Sequence, residues 1–215
     1  MSQTLAMEPH VLGRIGGVWA IAKPAGLRVH PADDDGQPDL TGWLAGQAGL
    51  PAGLAPVHRI DAQTSGIVLC AATAAERREA SEWFAEGRVQ KHYLALVYGR
   101  TRKKGIIRRP LQDGRRGRPL EAMTRYRLWE GLGELSLLEV CPETGRKHQI
   151  RRHLHGIGHP IVGDTRYRSR RSRTPPDAPE RLWLHAAVLH LPTGDTVTAP
   201  LPDELADHLD TLRDQ

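Results

Sequence analysis

The sequence predicts an α+β domain built on a mostly antiparallel β-sheet. Segments typical of strands outnumber segments typical of helices, and the two kinds do not alternate regularly along the chain. The 215 residues are 39% hydrophobic and 26% charged, an ordinary globular composition that can bury a core. The sequence contains no internal repeat and no linker, so we expect one domain over residues 1–215.

Six apolar, β-branched or alternating segments predict the strands of this sheet. The first of them ends at the turn sequence Lys23-Pro-Ala-Gly26. In chain order the six segments are Val18–Ala22, Ser65–Ala71, Val89–Tyr98, Ala122–Trp129, Leu135–Cys141 and Leu182–Leu191.

Capping and end signals predict two helices. Thr73 and Glu76 have the spacing of a capping box, which predicts a helix that runs to about Glu86 and ends at Gly87. Residues 203–212 have the pattern of a terminal helix.

A third helix is predicted within residues 144–158. Ile150, Leu154 and Ile157 recur at helical spacing and are expected to face the core. Four basic side chains stand on a different face and are expected to point away from the core: His148, Arg151, Arg152 and His155.

Basic residues concentrate in two segments, 101–127 and 144–173. The first segment holds ten Lys and Arg against two acids and the second nine against one, whereas the rest of the chain holds 11 basic and 22 acidic residues. Arginine predominates in both segments, and its planar guanidinium suits contact with phosphate. No amphipathic stretch with large apolar residues accompanies them, so we expect a nucleic-acid partner and not a membrane surface.

The chain shows no sequence signal for secretion or membrane insertion. Its first ten residues lack the basic start and apolar centre of a signal peptide. The apolar stretches are much shorter than the roughly 20 residues of a membrane span. Cys70 and Cys141 lie in apolar surroundings, which is typical of reduced thiols. We therefore expect a cytoplasmic protein.

The eleven histidines do not have the spacing of a metal site. His148 and His153 would stand about 140° apart around a helix, and glycines interrupt the chain between His155 and His159. No Walker A loop, G-x-G-x-x-G motif or G-x-S-x-G motif occurs. We therefore expect no metal, no cofactor and no hydrolase nucleophile.

Asp61 is the first candidate for chemistry. It lies two residues after Arg59 in a turn rich in Gly, Ser and Thr, directly before the predicted strand Ser65–Ala71. Loops held by a rigid strand often carry active-site groups. An aspartate in such a turn also commonly accepts backbone hydrogen bonds without any catalytic role. Spacing alone leaves both interpretations open.

Six motifs follow one another along the chain in a specific order. They are Lys23-Pro-Ala-Gly26 with Val29-His-Pro31, His58-Arg-Ile-Asp-Ala-Gln-Thr-Ser-Gly66, Lys91-His-Tyr-Leu-Ala-Leu-Val-Tyr-Gly99, Ala122-Met-Thr-Arg-Tyr126, Thr144-Gly-Arg-Lys-His-Gln-Ile-Arg151 with Gly158-His-Pro-Ile-Val-Gly-Asp164, and Leu184-His-Ala186. In this order they resemble the RluA family of pseudouridine synthases, over about residues 18–190. Two departures are Ile60, where leucine is usual, and Arg152, where many members have an apolar residue.

The resemblance implies a pseudouridine synthase catalytic fold. This is an α+β fold with a mixed, mostly antiparallel sheet, flanking helices and an RNA cleft across the sheet. It implies that Asp61 is the catalytic carboxylate, that Tyr93 lies against the uracil and that Arg151 pairs with the aspartate. No S4 RNA-binding domain is expected, because the chain begins too close to Lys23. No cofactor and no obligate protein partner are expected either.

Further side chains are expected to bind RNA. Arg59 corresponds to the family arginine implicated in displacing the target base. Arg152 and the sequence around it resemble the tRNA-modifying TruC branch of the family. This resemblance favours tRNA as substrate, with 23S ribosomal RNA as the alternative. The remaining expected RNA contacts are His58, Arg115, Arg116, Arg118, Arg146, Lys147 and His148.

The expected chemistry needs a carboxylate and no cofactor. Isomerising uridine breaks the N1–C1′ bond, rotates the uracil and joins C5 to C1′, with no redox change and no net hydrolysis. The carboxylate of Asp61 could attack C1′ or take a proton from the sugar, and both routes stay open. Two other classes also stay open, namely an RNA-binding module without catalysis and a phosphoesterase or nuclease that uses the histidines.

Overall fold

The computed structural model describes residues 8–31, 36–112, 117–168 and 174–214. The chain divides into two compact units. The first unit comprises Met1–Gln90 and Ala186–Pro200, and the second unit comprises Lys91–His185 and Leu201–Gln215. Arg115 and Arg116, two of the expected RNA contacts, lie outside the described residues. The expectation of one catalytic domain stays a prediction.

The described residues form strands and helices in the following order. They are β1 (His10–Ile15), β2 (Val18–Lys23), α1 (Leu40–Gly46), β3 (Ala55–Pro56), β4 (Ser65–Ala71), α2 (Ala74–Ala85), β5 (Gln90–Tyr98), β6 (Lys104–Arg108), β7 (Leu111–Gln112), β8 (Pro119–Leu120), β9 (Met123–Leu132), β10 (Leu135–Pro142), α3 (Gln149–Gly156), β11 (Leu184–His190), β12 (Thr196–Thr198) and α4 (Asp203–Arg213). None of these helices has the length and apolar composition that crossing a bilayer requires.

The first unit is built around the buried strand β4. The strands lie in the order β1, β2, β4 and β11, with β3 added to β4 and β12 added to β11. The pairs β1–β2, β2–β4, β3–β4 and β11–β12 are antiparallel. Ala80 and Trp83 of α2 share a core with Ile67 and Leu69 of β4. All seven residues of β4 are buried, which explains the continuous apolar run in its sequence.

The second unit has the strand order β5, β10, β9 and β6, and each neighbouring pair is antiparallel. The strands β7 and β8 form a separate antiparallel pair. Leu138 of β10 shares a core with Leu154 of α3 and Leu205 of α4. Gly105 of β6 leaves room for Tyr126, because a Cβ there would lie 2.5 Å from its ring.

The structure confirms the predicted α+β fold with its mixed, mostly antiparallel sheet and flanking helices. All six predicted strands are present, Ser65–Ala71 with both ends as predicted and the others with ends that differ by at most three residues. The capping box is also present. The Thr73 hydroxyl accepts from the Glu76 N–H at 3.2 Å, and the Glu76 carboxylate accepts from the Thr73 N–H at 3.0 Å.

Two elements near the N-terminus were not predicted, β1 and α1. The strand β1 has little periodicity of its own and is held by antiparallel pairing with β2. The helix α1 has only seven residues and follows a sequence rich in Pro and Asp. Asp39 caps it by accepting a hydrogen bond from the Gly42 N–H at 3.0 Å.

The third predicted helix is shorter than expected, because α3 begins only at Gln149. The residues before it form a turn that the Gln149 side chain organises. Its Oε1 accepts hydrogen bonds from the Arg146 N–H at 3.0 Å and the Thr144 hydroxyl at 2.6 Å. Ile157 lies beyond the end of α3 and is 39% exposed, so the prediction that it faces the core is wrong.

Candidate active site

Asp61 lies in the turn that leads into β4 and is half-buried. The turn is held by the ammonium group of Lys23, a side chain only 1% exposed. Three carbonyl oxygens accept hydrogen bonds from this ammonium: those of Pro24 (2.7 Å), Leu27 (2.7 Å) and Ala62 (3.0 Å). The Gly26 N–H donates to the same Ala62 carbonyl at 2.8 Å. The Lys23-Pro-Ala-Gly26 turn is therefore fastened to the residue next to Asp61.

Backbone contacts fix the other end of this turn. The Thr64 N–H donates to the Asp61 carbonyl at 3.0 Å. Gly66 has a φ of +114°, and a Cβ there would lie 2.2 Å from the carbonyl oxygen of Ala186. Only glycine combines this conformation with this close approach. The backbone that follows Asp61 is therefore held against β11.

His58 and Arg59, both expected RNA contacts, differ in their surroundings. His58 is half-buried, its Nε2 accepts from the Leu69 N–H at 2.9 Å, and its ring stacks on Phe84 at 4.1 Å. These contacts hold the turn against β4 and α2. Arg59 is exposed. The pKa of His30 is lowered by burial and further by the positive charge of Arg59, so the charge of Arg59 acts directly on His30.

Tyr93 lies in β5 of the second unit and is half-buried. Its Cα pairs with that of Val140 across the sheet, and its side chain packs against the core of this unit. An aromatic side chain that is fixed on a strand and partly exposed can stack on a nucleic-acid base.

Arg151 lies in α3 and is only 6% exposed. Its Nε and Nη2 donate to the two carboxylate oxygens of Asp164 at 2.8 and 2.9 Å. The ring of Tyr167 lies 5.2 Å from the guanidinium carbon, which adds a cation–π contact. The prediction that Arg151 points away from the core is therefore wrong. Asp164 compensates the buried charge and fixes the plane of the guanidinium.

Asp164 is itself held as an ionised carboxylate. Burial by itself would raise its pKa, but hydrogen bonds from Arg151 and from two backbone N–H groups, together with the Arg151 charge, lower the pKa below its usual value. The two backbone donors are the N–H groups of Arg166 at 2.9 Å and Tyr167 at 2.8 Å.

The three residues expected to be catalytic are divided between the units. Asp61 belongs to the first unit, and Tyr93 and Arg151 belong to the second. The pairing of Asp61 with Arg151 stays a prediction.

The described part of the basic segments contains several of the expected RNA contacts. Arg118, Arg146 and Lys147 are exposed. The Nε of Arg146 donates to the Glu121 carbonyl at 3.0 Å, which ties this side chain to the connection between β8 and β9. Their contact with RNA stays a prediction.

His148 and Arg152 are half-buried. His148 adopts the left-handed conformation before α3, with φ +53°, and its Nδ1 lies 3.1 Å from the Tyr167 hydroxyl. Arg152 donates from Nη1 to the Gln112 carbonyl at 3.1 Å. Their RNA contacts also stay predictions.

Sequence reasoning assigned no role to Asp164 and Gln149, although both lie within a matched motif. Besides its contacts in the turn, Gln149 donates from Nε2 to the Met123 carbonyl at 2.9 Å and the Thr124 hydroxyl at 3.0 Å. It therefore fastens the turn before α3 to β9. The motif match was the available signal for both residues.

One group of described side chains has donor atoms close enough to hold a metal ion, namely His92, Glu139 and Cys141 of the second unit. The histidines near α3, which were considered from the sequence, do not belong to it. Cys70 and Cys141 are both free thiols, and burial raises the pKa of Cys70 to about 12.

The fold and these motifs define a class of protein. A family model described as RNA pseudouridylate synthase matches residues 17–156. The chain belongs to the RNA pseudouridylate synthase family, whose members are isomerases, and the resemblance seen in the sequence is confirmed.

Several relatives within this class are similar to the chain. A tRNA pseudouridine synthase C from Haemophilus ducreyi is 34% identical, over 86% of this chain and 85% of that protein. A ribosomal large subunit pseudouridine synthase D from Nitrosomonas europaea is 37% identical, over 90% of this chain and 62% of that protein. An uncharacterized RNA pseudouridine synthase from Chloroflexus aurantiacus is 41% identical, and the chain spans 66% of its length. The solved structure of human RNA Pseudouridylate Synthase Domain Containing 4 is 26% identical with a TM-score of 0.78, over 94% of this chain and 92% of that chain.

Proposed function

We propose that this chain isomerises a specific uridine of an RNA to pseudouridine, with Asp61 as the catalytic carboxylate. The observation that carries the proposal is the fixed position of Asp61. Its turn is tied on one side to Lys23 and Gly26 through Ala62, and on the other to β11 at Gly66. A group that acts on C1′ has to be held in place before the substrate arrives, and this turn provides such preorganisation.

Tyr93 and Arg151 complete the proposed active site. The Arg151 guanidinium, oriented by Asp164, pairs with the Asp61 carboxylate. Tyr93 stacks on the uracil while the N1–C1′ bond breaks and the base rotates. Arg59 helps to displace the target base from its stack, since the enzyme cannot reach C1′ of a stacked nucleotide.

We propose tRNA as the substrate, with 23S ribosomal RNA as the alternative. Arg152 and the similarity to tRNA pseudouridine synthase C support tRNA. Similarity to large-subunit synthases supports ribosomal RNA. The exposed Arg118, Arg146 and Lys147 contact the RNA backbone. A cytoplasmic location, an isomerisation that uses no cofactor and the lack of an obligate protein partner also belong to the proposal, and the absence of a disulfide at Cys70 and Cys141 supports the location.

Tritium release from RNA labelled at C5 of uridine tests the proposal, because joining C5 to C1′ expels the C5 hydrogen. The chain is incubated with unmodified tRNA and with 23S fragments. Asp61→Asn is expected to reduce release by about a thousandfold or more while RNA binding persists. The matched control is Asp207→Asn, an exposed residue of α4, which is expected to retain full activity.

Different results would contradict different parts of the proposal. RNA binding without tritium release by the wild-type chain would indicate a non-catalytic RNA-binding module. Shortened RNA would indicate a nuclease. Release that persists within tenfold in Asp61→Asn would remove Asp61 from the mechanism. Activity on 23S fragments with none on tRNA would overturn only the choice of substrate.

A further inference from the structure

Three metal-ligating side chains converge on two neighbouring strands of the second unit. His92 lies in β5, and Glu139 and Cys141 lie in β10. The Nδ1 of His92 is 3.0 Å from Oε1 of Glu139 and 3.3 Å from the Sγ of Cys141. All three donor atoms lie within 4.8 Å of one another.

The register of the sheet explains this convergence. Val140 is paired with Tyr93, so the next pair along the antiparallel ladder sets Cys141 opposite His92. Glu139 and Cys141 are two positions apart, and side chains with this spacing share one face of a strand. Tyr93 is adjacent to His92 in the strand and therefore faces the other side of the sheet. The cluster is thus separate from the proposed catalytic role of Tyr93.

The donor set matches the preferences of zinc. Imidazole nitrogen, thiolate sulfur and carboxylate oxygen are its usual ligands, and three protein ligands with water as the fourth form an open tetrahedral site. With ordinary bond lengths a tetrahedral ion would hold nitrogen and oxygen about 3.4 Å apart and nitrogen and sulfur about 3.6 Å apart. The observed 3.0 and 3.3 Å are a few tenths of an ångström shorter, which small side-chain rotations can supply.

A neighbouring arginine orients the carboxylate. The Nε of Arg127 donates to Oε2 of Glu139 at 3.2 Å, so this bond fixes the carboxylate while Oε1 points to the histidine. Outer contacts of this kind hold metal ligands in place in many sites. Arg125, the other nearby cation, is paired with Glu143. The side chains of His92 and Glu139 are 24% and 20% exposed, so an ion can reach them from solvent.

We propose that His92, Glu139 and Cys141 form a zinc site in which water is the fourth ligand. Thiolate and imidazole ligands favour zinc over magnesium and calcium, which prefer oxygen ligands. The ion links β5 to β10 and so stabilises the second unit. This differs from the expectation of no metal site, because the two strands bring together ligands 47 and 49 positions apart in the sequence.

Zinc binding to the untagged chain, reduced and treated with a chelator, tests the proposal without any RNA. Competition with a chromophoric chelator is expected to give one bound zinc with a Kd of about 1 µM or lower. Cys141→Ser is expected to weaken binding by about a hundredfold or more. The matched control is Cys70→Ser. Cys70 is fully buried in the first unit, so this substitution is expected to leave the zinc affinity unchanged.

Cobalt(II) provides a second readout, which is measured on the wild-type chain and so does not depend on whether Cys141→Ser folds. One equivalent added to the wild-type chain is expected to produce a thiolate-to-cobalt charge-transfer absorption, and Cys70→Ser is expected to retain it. Absence of this absorption, failure to bind one zinc, or equal affinity in Cys141→Ser would overturn the proposal. Tritium release is measured separately, so none of these results depends on the proposed isomerase activity.

Discussion

The buried salt bridge between Arg151 and Asp164 allows us to predict how much stability the chain loses when the pair is broken. The two side chains are 7% and 0% exposed. Asp164→Asn removes the carboxylate charge from a buried ion pair, and breaking such a pair destabilises proteins by about 3–5 kcal/mol. Asparagine keeps one oxygen for the backbone N–H groups of Arg166 and Tyr167. We therefore expect the unfolding free energy to fall by about 3 kcal/mol, the low end of this range. For a chain of this size, a loss of about 3 kcal/mol lowers the Tm by about 6–12 °C.

The pH dependence of stability provides an independent check on the same pair. The pKa of Asp164 is lowered in the folded protein. Its stabilising contribution is therefore complete above the pKa of an unfolded aspartate, about 3.9, and is lost as the pH falls through the lower folded value. The difference in unfolding free energy between the wild-type chain and Asp164→Asn should be constant near neutral pH and shrink in this acidic range.

Urea titrations at several pH values measure both effects. The control is Asp210→Asn, which removes an exposed carboxylate paired with Arg213 at the surface and is expected to change stability by less than about 1 kcal/mol. Equal, small losses in the two variants would refute the reasoning, since they would mean that the Arg151 pair behaves like a surface salt bridge. A difference that does not change with pH would refute the assignment of the effect to the Asp164 charge.

Three further variants test other parts of the structure. Gly66→Ala is expected to abolish folding, because the added Cβ would lie 2.2 Å from the Ala186 carbonyl, whereas Gly13→Ala meets nothing within 4 Å and should melt near the wild-type temperature. Lys23→Met leaves carbonyl oxygens without their donor and should lower the urea-derived unfolding free energy by about 2–4 kcal/mol; an unchanged value would contradict this. Arg118→Gln should reduce the log–log salt slope of RNA binding by about 0.7 in filter-binding assays, and an unchanged slope would mean that Arg118 contacts no phosphate.

Local signals in the sequence predicted much of the fold. Thr73 and Glu76 fixed the start of α2 because a capping box acts within one helical turn. The apolar run of β4 was visible because a strand buried on both faces needs no polar position. The strand β1 was missed because its stability comes from pairing with β2 and not from its own pattern.

The surroundings of the candidate site were less predictable. Helical spacing put Arg151 on a polar face, but its burial depends on Asp164, which lies 13 positions further along the chain beyond the end of α3. Periodicity reports which side chains prefer water and carries no information about a distant counter-ion. The motif match identified Asp61, yet its turn is held by the ammonium group of Lys23, which donates to the Ala62 carbonyl from 39 positions earlier in the chain.

The path of the chain through the two units affects its synthesis on the ribosome. Residues 1–90 emerge first, but the first unit is complete only after Ala186–Pro200 has followed. Until then β4 lacks its neighbour β11, and part of one edge of this strand, which is wholly buried in the folded unit, has unpaired N–H and C=O groups. Translation of the intervening residues lasts about 5–20 s at ordinary elongation rates. An exposed strand edge favours association with other chains during this time, so we expect the yield of folded chain to fall when chaperones are scarce.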